Sequence, residues 1–234
     1  MLGDFLEISL STPDILASVD FYTCLGFKPA SVHDVWPHPY TVFSDGHVYL
    51  GLHQQAFPAP ALSFVQPDLR RQVPEFEALG IEFEFSKLGE HEFNEAGFYA
   101  PGRQMVRLLE ARTYSPFAAP ADASLCGYFE EYRLAVSDLQ MSRHFWEQLG
   151  LISTEPANMR SRSTRLATGG LNLRLWDKGP ERPQLVFLHP RPAELTERLK
   201  QLGISVAAAK PADSISVLLT APEGTQLLIV QDDS

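Results

Sequence analysis

The chain has 234 residues, 44% apolar and 21% charged, with a net charge of −10 at pH 7. That length suits one large domain or two smaller ones and can bury enough surface to fold without a staple. Its two cysteines, Cys24 and Cys126, exclude a disulfide framework or a thiolate metal cage. The acidic balance argues against non-specific nucleic-acid binding. No apolar run approaches the roughly 20 residues of a membrane span. Asp4 and Glu7 in the first ten residues do not read as a secretory leader. A cytoplasmic protein without nucleic-acid or membrane partners is expected.

In chain order, the first element is a strand in which Ile8, Leu10 and Thr12 alternate with Glu7, Ser9 and Ser11. Asp14 stands where an N-cap is needed, and Leu16, Val19, Tyr22 and Leu25 follow at helical spacing, predicting a helix laid on the sheet. Gly26 then fits the left-handed position that ends it. The pattern recurs with strand starts at Glu7, Ala61, Glu131 and Gln184, and Gly26, Gly80, Gly150 and Gly203 each lie 19 residues after their start. Asp68 and Asp138 repeat the cap, while the fourth unit has Arg191 followed by Pro192. After each helix come three strands, such as those around Phe83, Phe98 and Met105, with turns at Asp45-Gly46, Pro101-Gly102, Gly169-Gly170 and Pro222-Glu223-Gly224. Each unit is therefore βαβββ. Residues 112–127, rich in Pro, Ala and Ser, read as a linker. The expected organisation is an α+β fold with paired units at 1–60 and 61–111, then at 128–182 and 183–234.

Ser18-x-x-Phe21-Tyr22-x-x-x-Leu25-Gly26-Phe27, echoed by Ser142, Phe145, Trp146, Leu149 and Gly150, resembles the helix signature of the vicinal oxygen chelate superfamily. That superfamily includes glyoxalase I, bleomycin resistance proteins and extradiol dioxygenases. The resemblance covers nearly the whole chain. It implies two cup-shaped mixed sheets, each built from two modules and enclosing a ligand cavity. Modules pair either as one with two and three with four, or as one with four and two with three.

Family enzymes hold a divalent metal with His or Glu side chains on the first and last strands of a module. Here the first-strand positions are Glu7, Ala61, Glu131 and Gln184, and the last-strand positions are Gly51, Arg107, Arg174 and Leu228. A slip of two residues in the first unit offers His53 or Tyr49 instead. Each cup has one carboxylate at most, and arginine stays protonated and repels a cation. A catalytic metal needs about three protein donors. The expectation is therefore no divalent metal and no other cofactor, with Glu7 and Glu131 paired to arginines across their cups.

Apolar walls with a few convergent polar groups describe a small-molecule pocket. The candidate ligand-binding residues are Glu7, Tyr49, His53, Arg107, Glu131, Arg174, Trp176 and Gln184, with Trp36, Tyr40 and Phe98 as further lining. No catalytic residue is assigned. His33 and His38 read as loop residues, His47 and His144 as solvated, and the run Glu90-His91-Glu92 as unable to converge along a strand. The leading expectation is a metal-independent small-molecule binder, as in sequestration or resistance. The alternatives are a metal lyase or dioxygenase with displaced ligands, and a non-catalytic interaction module. The small organic ligand's charge is open, and a monomer or homodimer is expected.

Overall fold

The computed structural model describes residues 2–30, 36–90, 93–111, 124–155, 161–208 and 216–232. The elements run β1 (Asp4–Ser11), α1 (Ile15–Cys24), β2 (Lys28–Ala30), β3 (Tyr40–Ser44), β4 (Tyr49–His53), β5 (Ala61–Gln66), α2 (Leu69–Ala78), β6 (Phe83–Lys87), β7 (Glu95–Ala100) and β8 (Gln104–Glu110). The second half repeats them as β9 (Tyr128–Val136), α3 (Leu139–Gln148), β10 (Ile152–Ser153), β11 (Ser163–Thr168), β12 (Leu171–Asp177), β13 (Gln184–His189), α4 (Pro192–Gln201), β14 (Ala207–Ala208), β15 (Ser216–Thr220) and β16 (Gln226–Gln231). The four βαβββ modules are all present. The expected linker lies mostly outside the described residues.

Two eight-stranded mixed sheets result, ordered β2-β3-β4-β1-β5-β8-β7-β6 and β10-β11-β12-β9-β13-β16-β15-β14. In each, the first strands of two modules pair antiparallel, β1 with β5 and β9 with β13. This settles the pairing as modules one with two and three with four. Within a module the first strand runs parallel to the last, as β1 to β4 and β5 to β8.

Each helix ends at the repeated glycine, whose φ is +83° at Gly26, +80° at Gly80, +101° at Gly150 and +73° at Gly203. Asp14 caps α1 by accepting from the backbone N–H of Leu16 and Ala17, and Asp138 caps α3 through Met141 N–H. Asp68 makes no such bond, and its φ is +52°. There Glu110, at the end of β8, accepts from Leu69 N–H at 2.9 Å and replaces the local cap. Leu16 does not cover the sheet as its spacing predicted: it is 71% exposed, while Ser18 and Tyr22 are the buried residues of α1. Tyr22 reaches Glu223 of the fourth module instead, and that contact fixes the helix's rotation.

One buried apolar cluster draws on both sheets. Phe27 meets Phe187 at 5.8 Å and Phe98 meets Phe145 at 6.4 Å, so each sheet turns its helix-bearing face toward the other half. Strand alternation then sends Ile8, Leu10, Leu50 and Leu52 into this core and leaves Glu7, Ser9, Gly51 and His53 on the concave face. Among the described residues, no helix is long and apolar enough to cross a membrane.

Candidate functional site

The first concave face gathers its polar groups around Glu7, which is 2% exposed. Ser9 Oγ donates to Glu7 Oε1 at 2.7 Å and Tyr40 OH donates to Oε2 at 2.7 Å. His53 Nε2 lies 3.0 Å from Oε1. Burial alone would raise the Glu7 pKa, but the hydrogen bond and charge of His53, helped by Ser9 and Tyr40, hold it below the usual carboxylate range. Gly51 makes this possible. A Cβ there would stand 2.0 Å from Glu7 Oε1, so the carboxylate occupies the space a side chain would fill.

His53 continues the network: its Nδ1 lies 3.0 Å from His38 Nε2. One imidazole donates and the other accepts in this contact, according to their tautomers. His38 Nδ1 and Trp36 Nε1 are buried with no hydrogen-bond partner among the described residues. Burial first, then the nearby His53 and Arg107, lower the His38 pKa, which keeps this ring neutral. Trp36 packs at 5.1 Å from the His53 ring and 5.8 Å from Tyr40. Phe57 flanks His53 at 5.5 Å, and Phe93 covers Trp36 at 5.5 Å.

Arg107 enters the same cup from β8, held between the Trp36 and Phe57 rings at 5.3 and 5.1 Å. It does not pair with Glu7 as expected. Its guanidinium donates to Glu95 Oε2 at 3.1 Å, and Lys87 shares that carboxylate. Tyr49 lies on the same face of β4, two residues before Gly51, and burial raises its pKa.

The second concave face holds Glu131, Arg174, Trp176 and Gln184. Here the expected ion pair forms: Arg174 Nε donates to Glu131 Oε2 at 2.7 Å, and Arg133 Nε to Oε1 at 2.8 Å. Arg174 also meets Glu155 at 3.1 Å. Gln184 donates to Gln226 at 3.1 Å. The eight candidates thus divide between two separate faces. Phe98 belongs to neither, because it is fully buried in the core against Phe76 and Phe83.

His38 was missed by sequence reasoning. It sits between Pro37 and Pro39 before β3, where no periodicity orients a side chain, and only the fold brings it onto His53. Ser9 was passed over because a serine alternating along a strand carries no signal of its own. His33 and His91 lie outside the described residues. His47 and His144 are exposed, as expected.

Solved structures with this architecture cover almost the whole chain. Homoprotocatechuate 2,3-dioxygenase from Brevibacterium fuscum, an E323L mutant, matches 99% of this chain and 72% of its own, with TM-score 0.64 and 15% identity. The enzyme from Arthrobacter globiformis matches 99% and 80%, with TM-score 0.65 and 13% identity. A catechol 2,3-dioxygenase matches 98% and 87%, with TM-score 0.58 and 13% identity. The chain carries the vicinal oxygen chelate fold. No protein-family model and no curated protein matches the sequence.

Two findings correct the expectation that a vicinal oxygen chelate cup in this chain binds no divalent metal. The solved structures named above are dioxygenases. Gly51 also keeps its expected register, level with Ser9 as Arg107 is with Ser63, and His53, two residues further along β4, reaches Glu7 with its side chain at 3.0 Å. The donors present fit a cation. Carboxylate oxygen and imidazole nitrogen are ordinary ligands for a divalent ion, and neighbouring ligand atoms around one stand about 3 Å apart. His38 supplies the outer hydrogen bond that ligating histidines use for orientation. Among the described residues no three His, Cys, Asp or Glu side chains converge, and the further oxygen atoms beside Glu7 are the hydroxyls of Ser9 and Tyr40.

Proposed function

We propose that the first cup is the active site of a divalent-cation-dependent enzyme acting on a small aromatic molecule with adjacent oxygen atoms, ring-cleaving dioxygenation being the favoured reaction class. The observation that carries this reading is the 3.0 Å contact between the Glu7 carboxylate and His53 Nε2 on the concave face. Glu7 and His53 would hold the cation, assisted by Tyr40, and when bound it would act as a Lewis acid toward substrate oxygens.

The chain's own residues do the rest. Glu7 is kept ionised by its three donors, so it needs no proton loss before it binds a positive partner. With its Nε2 on the cation, His53 would donate from Nδ1 to His38 Nε2, so that His38 fixes the plane of the ligating ring from behind. Trp36, Phe57 and Phe93 offer ring faces to an aromatic substrate and exclude water from the carboxylate. Arg107, neutralised by Glu95, adds a polar edge to that apolar wall.

The test is metal analysis of protein purified without chelator, beside Glu7→Ala and His53→Ala. About one tightly held divalent ion per chain is expected in the parent, with retention lost in both variants and weakened about 10–100-fold in His38→Ala. Oxygen uptake with catechol would then follow the metal content. A parent protein that holds no cation more tightly than the two alanine variants would sink the proposal.

A further inference from the structure

The second cup has a different chemistry from the first. We infer that it binds a small organic anion, a carboxylate on an apolar body, through Arg133, Arg174 and Trp176.

Arg165 on β11 is the direct partner of Arg174 on β12, which is the direct partner of Arg133 on β9. Three like charges thus stand in a row across neighbouring strands, an arrangement that destabilises a sheet unless it is compensated. Glu131, 2% exposed, supplies one buried counter-charge to all three. Glu130 and Glu155, which pair with Arg165 and Arg174, have side chains 32% and 38% exposed and sit at the rim, where solvent screens them. Glu131 is thus the deeply buried carboxylate shared by three guanidinium groups whose side chains are 19–24% exposed.

A second, independent observation points to an acceptor. Trp176 Nε1 is buried without a hydrogen-bond partner among the described residues, and the Arg133 guanidinium lies 5.8 Å from its ring. A buried indole N–H normally finds an acceptor, and a carboxylate beside Arg133 would supply it. The facing wall, contributed by the fourth module, presents Val186, Leu188, Leu218, Leu228 and Val230 on the same side of the sheet. Ser216 Oγ, on that wall, is likewise buried and without a partner among the described residues. A cationic wall opposite an aliphatic one selects an anion with an apolar body over a bare ion.

Calorimetric titration of the intact protein with decanoate, decanol and inorganic phosphate tests this. Decanoate should bind, with decanol and phosphate each about tenfold weaker or worse. Arg133→Gln should weaken decanoate about tenfold and Trp176→Phe several-fold, consistent with loss of one charge-assisted contact or one donor. Glu7→Gln should leave decanoate affinity unchanged, which locates the site outside the first cup. Trp176→Phe keeps the apolar ring and removes only the donor, so it carries the test if Arg133→Gln fails to fold. Absence of decanoate binding, equal affinity for decanol or phosphate, insensitivity to Trp176→Phe, or loss of binding in Glu7→Gln would each overturn the inference.

Discussion

Glu7 shows what a single position requires in this fold. A fully buried carboxylate is expensive unless it is hydrogen-bonded and paired, and three side chains from three strands meet that need: Ser9, Tyr40 and His53. Gly51 is the fourth requirement, because only a residue without Cβ leaves room for the carboxylate. Gly51→Ala should therefore displace Glu7, costing about 1–3 kcal/mol as an overpacked buried site does. It should also lower cation retention toward that of Glu7→Ala. Thermal unfolding beside metal analysis checks this, and a variant with parental stability and metal content would show that Glu7 can relax elsewhere. Glu7 and the glycine were both legible as cup positions in the sequence. Their mutual dependence was not, since it comes from a side chain leaning across a strand pair rather than from spacing.

The helices show local rules holding and then yielding. Asp14 and Asp138 cap α1 and α3 as their offset predicted. Asp68 has the same offset, yet Glu110 takes over the cap of α2 from the far end of β8. Glu110 also accepts from Asn94 Nδ2 at 3.2 Å, so it ties α2 to the loop before β7. Glu110→Ala should cost about 1 kcal/mol or somewhat more, the usual price of a lost cap plus a stranded amide. Asp68→Ala should cost much less. Denaturant titration of the two variants distinguishes them, and equal losses would return the capping role to Asp68.

At the scale of the whole molecule, the two halves are bound by buried polar contacts as well as by rings. Asp45, in the turn before β4, accepts from His47 and Val48 N–H through Oδ1 and from Phe129 N–H through Oδ2 at 2.7 Å. Tyr132 OH donates to Gln104 at 2.7 Å, again across the halves. Asp45→Ala strands three backbone donors, two of them in buried bonds, and should destabilise by about 3–5 kcal/mol, since each orphan costs about 1–3 kcal/mol. Chemical denaturation should then show one transition moving as a unit. A small loss, or a split into two transitions, would mean that the halves fold independently of this contact.

The sequence by itself determined the βαβββ unit, its fourfold repetition, the glycine that ends each helix and the two glutamates that face the cups. All of these follow from periods of 2 and 3.6 and from residues whose backbone preferences are local. Only the tertiary structure decided which modules pair, because every first strand carries the same alternation and offers the same edge. It alone decided that the His53 side chain turns back over Gly51 to meet Glu7, because the direction of a side chain is set by its packing and not by turn signals. It likewise brought His38 from a proline-flanked loop onto His53. In the second cup the strand pairing aligned three arginines that stand far apart in the chain. The sequence thus located two cups, and the packing gave them different chemistry: a carboxylate–imidazole pair in one and a row of guanidinium groups in the other.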